Sequence, residues 1–210
     1  MTLNFAQIER QELCNLFEEL GPDAPTLCEG WTTADLAAHL VVRERRPDAA
    51  LGILAAPLGR HGESVRREYA AKDWGELVEL VRTGPPRLSV FGVPAADRLG
   101  NTMEYFIHHE DVRRPNGGEP RSLHPELTAQ LWDVVRRMSR ITMRHAPCGV
   151  TLRTPDGRTV VSNSSTPRVA VRAAVGELSL FAYGRQRSAQ VELLGDDADV
   201  AALLDADFGI

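Results

Sequence analysis

The sequence predicts an α+β fold, with a helical part to about residue 147 and a small α/β part after it. Three observations predict it. Segments before residue 147 carry apolar residues at helical spacing. After His145-Ala146-Pro147 the texture changes to short alternating runs around the turn Pro155-Asp156-Gly157. Third, 210 residues with 43% hydrophobic and 25% charged content can bury the core of one large domain or two small ones. The expected domains are 1–147 and 148–210.

The helical part reads as follows. Leu3–Leu20 is amphipathic, with Phe5, Ile8, Leu13, Leu16, Phe17 and Leu20 near helical spacing, and Gly21-Pro22 stops it. Thr32-x-x-Asp35 matches a capping box with Asp in place of the usual Glu. The helix it opens is polar only at Asp35 and His39 over Ala34–Val42, so it is expected to be buried. Pro47 kinks or ends it, and the pattern resumes over Ala49–Ala56. Glu63–Lys72 and Trp74–Val81 form a third helical region that Gly84-Pro85-Pro86 ends. Leu88–Pro94 is irregular. A fourth helix spans Pro94–Arg114, and Pro115-Asn116-Gly117-Gly118 terminates it. Pro125–Arg144 is a fifth, with Leu127, Leu131, Val134, Val135, Met138, Ile141 and Thr142 facing inward.

In the second part, Val150–Leu152 and Thr159–Ser162 form a hairpin, and Arg168–Arg172 alternates like a strand. Ala173–Tyr183 is a helix with Gly184 at its C-terminal end. Gln190–Leu194 is a last strand and Asp199–Leu204 a last helix.

Composition narrows the function. The net charge of −5 and the lack of a basic stripe interleaved with aromatics disfavour nucleic acid. The apolar runs are too short to span a membrane. Met1–Arg10 lacks a signal-peptide pattern, so a cytoplasmic protein is expected. Cys14, Cys28 and Cys148 are odd in number and form no C-x-x-C, which disfavours both a disulfide framework and a thiolate zinc knuckle. Lys72 is the only lysine among 24 basic residues, a bias that suggests a GC-rich genome.

The chemistry concentrates in Asn101–Arg114. Glu104 and His108 are four apart, so a helix places both on one face. That spacing suits either a bridging metal ion or a solvated acid–imidazole pair beside the apolar stripe of Leu99, Met103, Phe106 and Ile107. His39 would be the third donor, giving the two imidazoles and one carboxylate of several hydrolytic zinc sites. Alternatively it is a core histidine satisfied by a carbonyl. Asp111 could orient the His108 ring, and Asp35 could do so for His39, unless it serves only as the helix cap. His109-Glu110 opens an H-E-x-x-H pattern that Arg113 breaks. There is no G-x-S-x-G and no phosphate loop. Cys28 reads as a small buried hydrophobe, and His145-x-x-Cys148, falling at the domain join, is disfavoured as a functional Cys–His pair.

Leu27–Leu40 (LCEGWTTADLAAHL), followed by Met103–Arg114 (MEYFIHHEDVRR), resembles the mycothiol-dependent maleylpyruvate isomerase family of the DinB/YfiT-like superfamily. Val169–Arg185 is similar to that family's C-terminal domain. The resemblance implies a DinB-like four-helix bundle followed by a small sterol-carrier-like α/β domain. It implies zinc, or another divalent metal, on His39, Glu104 and His108, with mycothiol or a related thiol as cosubstrate. It further implies a thiol S-transferase or isomerase acting on a small electrophile, in an actinobacterial setting, as monomer or homodimer. Arg43, one turn from His39, and Arg185 are the candidate catalytic arginines for a substrate carboxylate. A metal-dependent hydrolase and a non-catalytic metal- or ligand-binding protein are the alternatives.

Overall fold

The computed structural model describes residues 3–46, 48–49, 59–85 and 101–208. The resumed pattern of 50–56 and the segment 88–94 lie outside them, as do Leu99 and the first turns of the expected fourth helix. The chain forms two compact units, Met1–Glu119 and Pro120–Ile210.

The first unit is helical among its described residues. Its helices are α1 (Phe5–Leu20), α2 (Thr33–Arg45), α3 (Gly59–Ala70), α4 (Trp74–Thr83) and α5 (Thr102–Arg113), followed by a 3-10 turn at Arg114–Asn116. Local chemistry sets the ends. The Asn4 side chain accepts from the Gln7 N–H, and Gly21 closes α1 with a positive φ. The capping box of α2 forms, with the Thr32 N–H donating to Asp35 Oδ2 at 3.0 Å. The core is made by Leu13, Cys14 and Phe17 of α1, Leu36, Leu40 and Val41 of α2, Leu77, Val78 and Val81 of α4, and Tyr105 and Val112 of α5. α1 packs against α4 and α5, and α2 against α3 and α4.

Two expectations on facing are corrected. Ile8 is exposed, whereas Glu9 and Arg10 are buried. The inward face of α1 follows Phe5, Ala6, Glu9, Arg10, Leu13, Cys14 and Phe17, and its charged members reach partners on other helices. Likewise α5 has no solvated face. Every residue from Tyr105 to Val112 is buried, because its polar side chains are paired inside the unit. His109 Nδ1 lies 2.8 Å from Glu9 Oε2. Glu110 accepts from Arg113 and Arg114, and the Tyr105 hydroxyl donates to Glu44.

The second unit holds α6 (Pro125–Thr142), β1 (Gly149–Arg153), β2 (Thr159–Asn163), β3 (Arg168–Arg172), α7 (Val175–Ala182), β4 (Glu192–Leu194) and α8 (Asp197–Asp205). The sheet order is β2-β1-β3-β4. β1 pairs antiparallel with β2 and parallel with β3, with Val150 opposite Val169 and Leu152 opposite Val171. All four of those side chains are buried. α7 is buried on every side, as its Val-Gly-Glu-Leu-Ser-Leu-Phe-Ala sequence requires.

The division between units differs from the boundary expected at 147. α6 packs against α7 and β2 and belongs with the sheet. Its apolar face covers the α/β core through Leu127, Leu131, Trp132 and Val135, while Ile141, expected inside, is exposed. The change of texture at 145–147 marks where strands begin. It does not mark where contacts end.

Candidate metal centre

Helices α2 and α5 bring together His39, Glu104 and His108. His39 Nε2 lies 3.5 Å and His108 Nε2 3.2 Å from the same oxygen, Glu104 Oε1. One ligand atom from each residue falls within 4.8 Å of the other two. The two imidazole rings meet edge to face with centroids 5.2 Å apart. Trp31 also packs on His39, at 5.3 Å between ring centroids. Arg66 lies over the Trp31 ring.

These separations suit a metal ion. A tetrahedral site with bonds of about 2.0–2.1 Å to N and O spaces its ligand atoms by about 3.3 Å. The 3.2 and 3.5 Å separations from Glu104 Oε1 bracket that edge length. A tetrahedral ion held by these two imidazoles and one carboxylate would keep a fourth position for water or substrate.

The protonation states follow from the surroundings. Burial pushes His39 below its usual range, against the pull of Glu104, and the charges of His108 and Arg43 act in the same direction as burial. A neutral imidazole is the form a metal binds. Burial alone would raise the Glu104 pKa, but hydrogen bonds from His108 and His39 and the charge of Arg43 hold it well below the usual carboxylate range. His108 is the converse. Burial opposes its charge, and the hydrogen bonds with Asp111, Cys28 and Glu104 overcome that and raise its pKa well above the usual value.

The remaining candidate residues sit as follows. Asp111 is fully buried, and its Oδ2 lies 2.9 Å from His108 Nδ1, the nitrogen facing away from Glu104. Asp35 does not reach His39. It caps α2 and forms an ion pair with Arg66. Arg43 turns toward the cluster, with Nε 3.1 Å from Glu104 Oε1 and Nη1 donating to Asn101 Oδ1 at 2.7 Å. Arg185 lies in the second unit, where Nη1 donates to the Tyr183 carbonyl. His145 accepts from the Arg144 guanidinium in that unit, and Cys148 is buried there.

Sequence reasoning missed the support behind Arg43. Glu44 is buried and takes a two-pronged ion pair from Arg10, at 2.7 and 3.0 Å. It also accepts from Tyr105 at 2.9 Å and from Asn101 Nδ2 at 3.5 Å. Asn101 thus links the buried Glu44 to Arg43. One signal was available: Arg10 falls on the Ala6–Leu13–Cys14–Phe17 stripe of α1, where a guanidinium needs a buried partner. Cys28 was also read too blandly, since its thiol lies 3.3 Å from Asp111 Oδ2.

Fold and site together define a class: a two-unit α+β chain whose helical unit carries a partly buried imidazole–carboxylate cluster of metal-ligand type. Residues 7–89 match the family model of the mycothiol maleylpyruvate isomerase N-terminal domain. The chain is similar in structure to a mycothiol-dependent maleylpyruvate isomerase, with a TM-score of 0.60 at 15% identity over 91% of both chains. A histidine-to-alanine mutant of such an enzyme gives a TM-score of 0.62 at 14% identity, again over 91% of both chains. The family that the sequence motifs resemble is the one these comparisons return. No curated protein matches the chain.

Proposed function

We propose that this chain is a metal-dependent enzyme that uses mycothiol, or a related low-molecular-weight thiol, to isomerise or transfer onto a small electrophilic substrate. The single observation carrying this reading is the convergence of His39, Glu104 and His108 on one point, in a chain whose first helices match the mycothiol maleylpyruvate isomerase domain. On the same reading the helical unit is a DinB-like bundle of α1, α2, α4 and α5, and the second unit a sterol-carrier-like domain.

His39, Glu104 and His108 would hold the ion, which we take to be zinc. Bound there, zinc would favour loss of the proton from a thiol or water at its open position. The protein's own groups do the rest. Asp111 fixes the tautomer and direction of the His108 ring through Nδ1. Arg43 neutralises part of the Glu104 charge and, held by Asn101 against that carboxylate, would receive a substrate carboxylate. Trp31 walls the His39 side and limits water there.

Metal analysis of purified protein tests the reading. The wild type is expected to carry about one zinc per chain, consistent with a three-ligand catalytic site. His39→Ala and Glu104→Ala are expected to lose it while keeping their helical circular dichroism. Mycothiol is expected to raise the melting temperature of the metal-loaded wild type only. Zinc retained in both variants would sink the site assignment. Loaded protein that mycothiol neither stabilises nor activates would sink the thiol assignment.

A further inference from the structure

His108 faces two different carboxylates. Nε2 points to Glu104 at 3.2 Å, and Nδ1 points to Asp111 at 2.9 Å. Behind Asp111 sits the Cys28 sulfur, 3.3 Å from the same Oδ2 that Nδ1 approaches. One ligand atom each from Cys28, His108 and Asp111 falls within 4.8 Å of the others, so this side of the ring is a second three-donor cluster.

The cluster is built rather than incidental. Thr26 Oγ1 accepts from the Cys28 N–H at 3.2 Å, and its hydroxyl donates to the Trp31 carbonyl at 2.9 Å, which pins the turn that carries the cysteine. The Leu27 N–H donates to the Asp111 carbonyl at 2.9 Å and ties that loop to α5. Asp111 is wholly buried, so its carboxylate costs energy unless cations or donors surround it. Cys28 differs from Cys14 and Cys148, which are buried, in retaining solvent access.

We propose that Cys28, Asp111 and the Nδ1 face of His108 form a second metal position, selective for a thiophilic ion and distinct from the His39–Glu104–His108 cluster. A sulfur donor selects soft metals, whereas the first cluster offers only nitrogen and oxygen. The hydrogen-bonded spacings are close to those of a coordinated set. Bonds of about 2.3 Å to sulfur and about 2.0 Å to oxygen on a tetrahedral ion put S and O about 3.5 Å apart. The observed 3.3 Å between Sγ and Oδ2 has to open slightly, and the 2.9 Å between Nδ1 and Oδ2 has to open further, toward about 3.3 Å. Binding replaces the thiol proton, which leaves to solvent, by the ion. A neutral imidazole has one lone pair to give, so His108 serves one position at a time, and a thiophilic ion captured by Cys28 takes it from the first cluster. This position shares His108 with the proposed zinc site, and Asp111 orients that ring in both, but it does not depend on any thiol cosubstrate.

Cadmium titration of chelator-treated full-length protein tests it, with thiolate-to-cadmium charge-transfer absorption as the readout. The wild type is expected to develop a saturable band. His39→Ala, which disables only the first cluster, is expected to keep it, and Cys28→Ser to lose it. Cadmium is also expected to slow alkylation of Cys28 in the wild type, followed by peptide mass spectrometry, a measurement that stands even if Cys28→Ser does not fold. No band in the wild type, an undiminished band in Cys28→Ser, loss of the band in folded His39→Ala, or protection confined to Cys14 or Cys148 would each overturn the second position. Failure of the zinc site leaves its own mark, because zinc content of Cys28→Ser, which keeps His39, Glu104 and His108, is read separately.

Discussion

At the scale of single residues, the buried pair Arg10–Glu44 decides how firmly the candidate centre is held. Both side chains are almost wholly removed from solvent, and Glu44 also serves Tyr105 and Asn101. Breaking a buried ion pair from one side leaves an uncompensated charge, at a cost of about 3–5 kcal/mol. Arg10→Met should therefore destabilise the protein by that amount in urea unfolding, far beyond the lost packing of one side chain. The pH dependence has a definite sign. Burial raises the Glu44 carboxyl above its usual range even with Arg10, Tyr105 and Arg43 pulling it down. A group with a raised folded pKa contributes stability that is present below its unfolded value and lost as pH rises through the folded one. Removing Arg10 raises that folded value further. The deficit of Arg10→Met should thus shrink as pH falls from 7 toward about 4.3, the ordinary glutamate value. A deficit that stays constant over that range would show that Glu44 is not the buried charge responsible.

At the scale of elements, helix ends carry part of the same burden. Gly84 closes α4 at φ 70°, where a side chain is strained, and a Cβ there would overlap the Arg10 guanidinium. Gly84→Ala should therefore cost more than the ordinary αL penalty of about 1–2 kcal/mol, because it also pushes Arg10 off Glu44. Combining it with Arg10→Met should be less than additive in denaturant unfolding. Simple additivity would separate the two sites. Most of these elements were legible from local chemistry alone: the Thr32–Asp35 box, the Gly84 stop, the Pro155-Asp156-Gly157 hairpin and the Pro-Asn-Gly-Gly end of α5. What was not legible was facing. An amphipathic reading assumes polar residues look outward, and α5 breaks the assumption by pairing Glu104, His108, His109, Glu110 and Asp111 internally. The same holds for Glu9 and Arg10 on α1. His39 was conspicuous because its helix is otherwise apolar, whereas Asn101 and Cys28 gave no such contrast, their partners being remote in sequence.

At the scale of the whole molecule, the division into units is the property that sequence texture misjudged, and the reason is energetic. A helix belongs with whatever buries its apolar face, not with the helices that precede it. The face of α6 is Leu127, Leu131, Trp132 and Val135, and its neighbours are α7 and β2. Without α6, one side of β2 and of α7 loses its cover, and α7 is apolar nearly all round. A four-stranded sheet with only two short helices is also near the lower limit at which a core sustains itself. A fragment of residues 120–210 should accordingly melt cooperatively, followed by far-ultraviolet circular dichroism. A fragment of residues 148–210 should melt without cooperativity or aggregate, because the surface that α6 covers is left open to water and to other copies. Cooperative melting of the shorter fragment at the same midpoint would mean that α6 contributes nothing to the second unit. Within the longer one, Leu131→Ala should lower stability by about 2–5 kcal/mol, the cost of a cavity at a fully buried leucine.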